Sequence, residues 1–118
     1  LPADPDASAR VLRAALGCAV VATDSFGRPW RLGQMDVAIG CAGLVPLEDL
    51  RGGTDRDGLE VHATKVAVAD QAASAADLAR AKAAGQPAVR LRGLERHVLT
   101  HDGPGAAALV RPPEHDLF

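Results

Sequence analysis

Residues 18–44 read Cys-Ala-Val-Val-Ala-Thr-Asp-Ser-Phe-Gly-Arg-Pro-Trp-Arg-Leu-Gly-Gln-Met-Asp-Val-Ala-Ile-Gly-Cys-Ala-Gly-Leu, and this stretch decides the fold. Its first six residues are apolar and β-branched with a polar turn behind them, which predicts a strand over 18–23 buried on both faces. Residues 36–44 are apolar and glycine-rich and predict a second buried strand in which another backbone approaches closely. Between them, residues 24–34 hold Gly27, Pro29 and Gly33, which exclude a helix and favour an ordered loop.

Upstream, Asp4-Pro5-Asp6 is a helix start: Asp4 can cap free amides, Pro5 fits the first helical position, and Asp6 suits the positive end of the dipole. Ala9, Leu12 and Leu16 then mark an apolar face that ends near Gly17. Downstream, residues 48–58 are a polar surface loop with turn chemistry at Asp57-Gly58. The alanine-rich run 64–84 predicts a long helix stopped by Gly85 and Pro87. Residues 88–91 predict a short strand, and the last third is mostly loop with one Ala-rich turn. The order helix, strand, strand, helix, strand favours a mixed α/β or α+β domain with central apolar strands.

The whole chain bounds these readings. Its 118 residues suit one domain, and a hydrophobic fraction of 47% with 24% charged residues excludes full-length disorder. No apolar run approaches the roughly 20 residues of a membrane-spanning helix, and the opening residues carry no signal-peptide pattern. A formal net charge of −2 with interspersed signs leaves no basic footprint for nucleic acid. Cys18 and Cys41 each lie among small apolar residues without CxxC spacing, so both are expected as reduced core thiols in a cytoplasmic protein.

The 24–34 stretch holds most of the chemistry. Asp24 with the adjacent Ser25 hydroxyl suits Mg²⁺ or Mn²⁺, which take oxygen ligands and usually keep phosphate oxygens as the others. Arg28 and Arg31 are suited to grip phosphate or carboxylate bidentately. The same residues admit a structural role, with Asp24 capping a turn, Arg28 paired to a surface acid and Trp30 plugging the core. His97 and His101 have i, i+4 spacing, but Asp-Gly-Pro-Gly comes next at 102–105 and no third ligand sits nearby. All four histidines are therefore expected as surface or capping residues, and Arg90, Arg92 and Arg96 as a solvated face.

The run Thr-Asp-Ser-Phe-Gly-Arg-Pro-Trp-Arg-Leu-Gly-Gln-Met-Asp-Val-Ala-Ile-Gly-Cys-Ala-Gly-Leu (23–44) strongly resembles the coenzyme F420-0:L-glutamate ligases, the gamma-glutamyl ligases of deazaflavin-cofactor synthesis. The likeness continues through Pro-Leu-Glu-Asp-Leu-Arg-Gly (46–52), Lys-Ala-Ala-Gly (82–85) with Pro87, and Val-Arg-Leu-Arg-Gly-Leu (89–94). It covers essentially the whole chain and is to the C-terminal half of such a ligase, so the resemblance implies one domain, 1–118, of a larger fold. It also implies an activity: GTP- and metal-dependent joining of L-glutamate to the lactyl carboxylate of F420-0 through an acyl phosphate.

By the family's pattern Asp24 is a metal ligand and Ser25 contributes to a second metal. Residues Arg80, Ala81, Lys82, Ala83, Ala84, Gly85, Gln86 and Pro87 line the nucleotide. Asp24, Arg28 and Arg31 carry the catalytic expectation. The sequence departs from the family at Arg80-Ala81, where Met-Gly is usual, and at Gln71, where a glutamate is usual. The resemblance further implies a homodimer packed through helix 64–84, or a partner chain that supplies the N-terminal half. A non-catalytic module that keeps the fold and a weak nucleotide or deazaflavin site is the competing reading.

Overall fold

Residues 1–117 are described by a computed structural model, and its first element begins where Asp4 sets it. Asp4 Oδ1 accepts from Ala7 N at 2.8 Å, Pro5 occupies the first turn, and helix α1 spans Pro5–Leu16. Gly17 ends it in the left-handed region at φ 69°, its N–H on Arg13 O. The expected apolar face is only partly buried: Ala9 is fully covered, while Leu12 and Leu16 stay exposed.

Strands β1 (Val20–Arg28) and β2 (Arg31–Ala42) form one antiparallel hairpin, so residues 24–34 are not the predicted loop. The register runs from Val20 opposite Ala42 to Arg28 opposite Arg31, and Pro29 and Trp30 make the turn. Pro29 presets its own φ and Trp30 adopts a left-handed φ of 55°, an arrangement that lets a short turn close without glycine at its tip. Gly27 pairs with Gln34, and Gly33 sits at φ 85° in an irregularity of β2 beside the turn, which is why glycine and proline content misled the loop reading. Nor is β1 buried on both faces: it is half-buried at its start and exposed from Asp24 to Gly27. Ala22 faces Gly40 and Thr23 faces Ala38, so Ile39 is an extra residue, a bulge in β2.

After β2 come the short antiparallel strands β3 (Glu48–Asp49) and β4 (Lys65–Val66), then helix α2 (Val68–Asp77) and single 3-10 turns at Glu95–His97, Ala106–Leu109 and Pro113–His115. Residues 54–60 turn back on themselves, with Gly58 at φ 80°, matching the turn expected there. The predicted helix over 64–84 is thus cut at both ends. Its first residues are taken by β4, which pairs with β3. Its end tightens as Ala79 N bonds Ala76 O and Arg80 N bonds Asp77 O, three residues back rather than four. Arg80 is held there by the hairpin, so a tertiary contact overrides alanine's helix propensity. Residues 88–91 form no strand.

Both helices pack chiefly on β2, and the core gathers Cys41, Leu44, Val68, Ala69 and Ala106 with Val21, Ala38 and Leu109 against them. The architecture is mixed α/β with small antiparallel sheets. Small residues let the backbones approach: a Cβ on Gly40 would overlap the Pro5 carbonyl. Gly40→Ala is therefore expected to destabilise the chain by about 1–3 kcal/mol, seen as a lower urea midpoint. No helix among the described residues is long and apolar enough to cross a membrane.

The two thiols part company. Cys41 is buried, and burial together with the nearby Asp6 charge pushes its thiol up to about 11. Cys18 is exposed, a correction to its core expectation, because it sits in the link before β1 begins. A thiol reagent is expected to label one cysteine per native chain, Cys18, and both in denaturant. His97 is also corrected. It is buried, because the Leu44–Val98 bridge and the Val45 N bond to His97 O draw its turn beneath β2's end. His101 keeps a capping role, its Nδ1 accepting from Gly103 N at 3.1 Å.

Candidate active site on the hairpin

Alternation along β1 puts Thr23 and Ser25 on one face and Asp24 on the other. Ser25 lies opposite Asp36 of β2, and Ser25 Oγ donates to Asp36 Oδ1 at 3.2 Å. Thr23 Oγ1 donates to Asp36 Oδ2 at 2.7 Å. Asp36 is only 4% exposed, a charged residue where β2 passes from its exposed to its buried half.

Helix α2 closes this face. Asp70, Ser74 and Asp77 recur at i, i+4 and i+7 and so share one side of the helix. Asp70 Oδ1 accepts from Ala38 N at 2.9 Å, and Ser74 Oγ donates to the Asp36 main-chain carbonyl at 2.8 Å. Arg80, just past the helix end, directs Nη2 to Asp36 Oδ2, and the same nitrogen reaches Thr23 Oγ1 at 3.3 Å and Asp77 at 3.6 Å. Burial alone raises the Asp36 carboxyl, but the Thr23 and Ser25 hydroxyls and the Arg80 guanidinium hold it below the usual carboxylate range. Arg80 Nε is buried with no hydrogen-bond partner among the described residues.

The opposite face is open. Asp24 is exposed, and its Oδ1 accepts from Ser25 N at 2.9 Å. Arg28 and Arg31 stand directly across from each other at the turn. Arg28 Nη2 donates to Leu32 O at 2.6 Å rather than to a surface acid, and its Nε is buried with no hydrogen-bond partner among the described residues. Trp30 does not plug the core; it is 87% exposed at the hairpin tip. Residues Ala81 to Pro87 are exposed, with one turn closed by Ala84 N on Ala81 O and Gly85 left-handed at φ 62°. The structure therefore joins Ser25 to Arg80, and sets Asp24 on the other side of the strand from both.

Sequence reasoning missed Asp36, although its signal was present: a carboxylate at the head of the apolar run 36–44 must find partners where that run is buried. Among the described residues no group of three or more His, Cys, Asp or Glu converges to hold a metal ion. The open face offers the Asp24 carboxylate and the closed face the Ser25 hydroxyl, while the Asp36 carboxylate is already engaged by Thr23, Ser25 and Arg80. The first two fit a hard cation that takes one or two protein oxygens and its other ligands from phosphate.

The profile of the F420-0:gamma-glutamyl ligase family matches residues 1–93. The chain is 46% identical to the coenzyme F420:L-glutamate ligase of Methanothermobacter thermautotrophicus over 125 residues, which covers 100% of this chain and 49% of that protein. It is 44% identical to the ligase of the same name from Methanopyrus kandleri over 126 residues, covering 100% of the chain and 50% of that protein. With the Natronomonas pharaonis ligase it shares 48% identity over 118 residues, 99% of the chain and 45% of the relative. The chain spans about half the length of the curated relatives it matches. The hairpin that carries Asp24, Ser25 and Asp36 lies wholly within the matched residues, and the chain belongs to the F420-0:gamma-glutamyl ligase family.

Proposed function

We propose that this chain forms part of a gamma-glutamyl ligase that uses GTP and Mg²⁺ or Mn²⁺ to join L-glutamate to coenzyme F420-0. The observation that carries this reading is the folding of the 23–44 motif as a hairpin whose two faces separately present Asp24 and Ser25. Two faces suit two different cations, with Asp24 the anchor of one and Ser25 a contributor to the other. Ser25 donates its hydroxyl proton to Asp36, which leaves oxygen lone pairs for a cation. A divalent ion bound there would neutralise phosphate charge as the phosphoryl group moves.

The chemistry balances as two transfers. The γ-phosphoryl group passes from GTP to a lactyl carboxylate oxygen of F420-0, and GDP departs. The glutamate amine then attacks the carbonyl carbon, the carbon–oxygen bond to phosphate breaks, the amine loses a proton, and an amide and inorganic phosphate remain. Arg28 and Arg31, paired across the turn, are suited to hold carboxylate or phosphate oxygens during these steps. Residues 80–87 line the nucleotide, with Lys82 adding positive charge beside its phosphates. A second copy of the chain, or a partner chain, completes the site.

Phosphate release measured with GTP, L-glutamate, F420-0 and Mn²⁺ tests this reading. Release is expected from the chain alone or with the N-terminal half of a relative added in trans, and only when all substrates are present. No release under either arrangement would favour a non-catalytic module that keeps the fold.

A further inference from the structure

We infer that Asp36 is a positioning residue of this site, holding both the Ser25 hydroxyl and, through Arg80, the start of the 80–87 segment. The inference rests on the ligase reading for what those two groups do, and on geometry for the holding itself. A carboxylate 4% exposed and paired to a guanidinium joins residues 44 positions apart in sequence. The same carboxylate accepts from Thr23 and Ser25, so one group fixes the hairpin face and the chain leaving α2 together.

The chain beyond Arg80 gives the pair its importance. From Ala81 to Arg92 it makes only one hydrogen bond, the local Ala84 N to Ala81 O turn, among the described residues. Leu91 and Arg92 rest beside α2 at a shallow cleft of about 280 Å³, but nothing hydrogen-bonds the intervening backbone to the rest of the fold. Arg80 is thus the last polar anchor before that stretch. A site that needs residues 80–87 near phosphate needs them delivered in a fixed place, because a ligand that must first order a loose segment binds more weakly. The unpartnered Arg80 Nε adds a donor at the point where the segment begins.

The test uses the chain's two lysines, Lys65 and Lys82, as reporters for a lysine-specific endoproteinase, with cut sites read by mass. Asp36→Asn keeps an oxygen for the two hydroxyls and removes the charge that holds Arg80. Cleavage after Lys82 is expected to accelerate about tenfold or more while cleavage after Lys65 is unchanged. Arg80→Gln, which alters a less buried residue, should do the same and carries the test if Asp36→Asn does not fold. The double variant should be no faster than Arg80→Gln alone, since the Asp36–Arg80 pair is already gone in that single variant. Equal Lys82 cleavage in folded variants and parent overturns the holding role.

Binding of a fluorescent GTP analogue with Mn²⁺ separates the two layers. If the parent chain binds the analogue, Asp36→Asn should weaken it about tenfold, and unchanged affinity overturns the positioning role. If the parent binds none, either alone or with the N-terminal half of a relative added in trans, the ligase reading and the positioning role that rests on it fall together, while proteolysis still judges whether Asp36 anchors the segment.

Discussion

Asp6→Ala is expected to lower the free energy of unfolding by about 3–5 kcal/mol, a large part of the roughly 5–15 kcal/mol that single domains possess. Asp6 sits in the first turn of α1, where a carboxylate already favours the helix dipole, but its main work is further away. Its Oδ1 accepts from Cys41 N at 2.8 Å and from Ala106 N at 2.7 Å, and Oδ2 accepts from Ala107 N at 3.2 Å. One side chain thereby ties α1 to β2 and to the 3-10 turn at Ala106–Leu109. Removing it strands amides of which two are partly buried, each costing about 1–3 kcal/mol. Gly105 lets the carboxylate come this close, since a Cβ there would overlap it. Urea unfolding should show the lower midpoint at unchanged slope, and a shift below about 1 kcal/mol would mean water replaces the lost bonds.

The same bonds set an acid dependence. Burial by itself raises the Asp6 carboxyl, but the amides of Ala106, Cys41 and Ala107, with Arg10, hold it below the usual carboxylate range. A group depressed in the folded chain contributes stability that is complete above its unfolded value near pH ~4 and is lost as pH falls through its folded value. Stability should therefore fall on acidification below about pH 4. Asp6→Asn should lose less over that interval, and Asp36 accounts for part of what remains, because its carboxyl is lowered as well. An undiminished acid slope in Asp6→Asn would assign the sensitivity elsewhere.

Asp24→Ala is expected to cut GTP- and glutamate-dependent phosphate release by about 100-fold or more while leaving stability within about 0.5 kcal/mol. The contrast comes from position. Asp24 is exposed and makes one local bond, to Ser25 N, so the fold loses little without it. As the one carboxylate on the open face of β1, it has no substitute there if a cation must be held against phosphate. Asp24→Asn keeps an oxygen but not the charge and should recover little. Release that persists in Asp24→Ala would move the cation's anchor to another residue or to the partner half.

The fold was legible in the sequence to different depths at different residues. The α1 boundaries were legible, because Asp4, Pro5 and Gly17 are local signals whose physics does not depend on the rest of the chain. The two central strands were legible as strands but not as one hairpin. Gly27, Pro29 and Gly33 read as loop residues, whereas Gly27 pairs across the strands, Gly33 fits the irregularity beside the turn at φ 85°, and the turn needed only two residues. The overlong helix failed for a different reason: alanine propensity is real to residue 84, but the guanidinium of Arg80 is claimed by the carboxylate of Asp36. Long-range ion pairs leave no period to count. The motif stretch was found, and its internal geometry, with Asp24 and Ser25 back to back and Asp36 between hydroxyls and arginine, required the fold.

Strand β2 is twelve residues long and, among the described residues, pairs with a single strand, so its far side is an edge of the kind that recruits other chains. Two carboxylates take the place of a third strand on either side of the Ile39 bulge, Asp70 on the amide of Ala38 and Asp6 on that of Cys41. Each acceptor is charged and side-chain borne, so it satisfies an amide without offering a new backbone to extend the sheet. At these two positions the edge is closed to a further strand by the same two aspartates that fasten its helices.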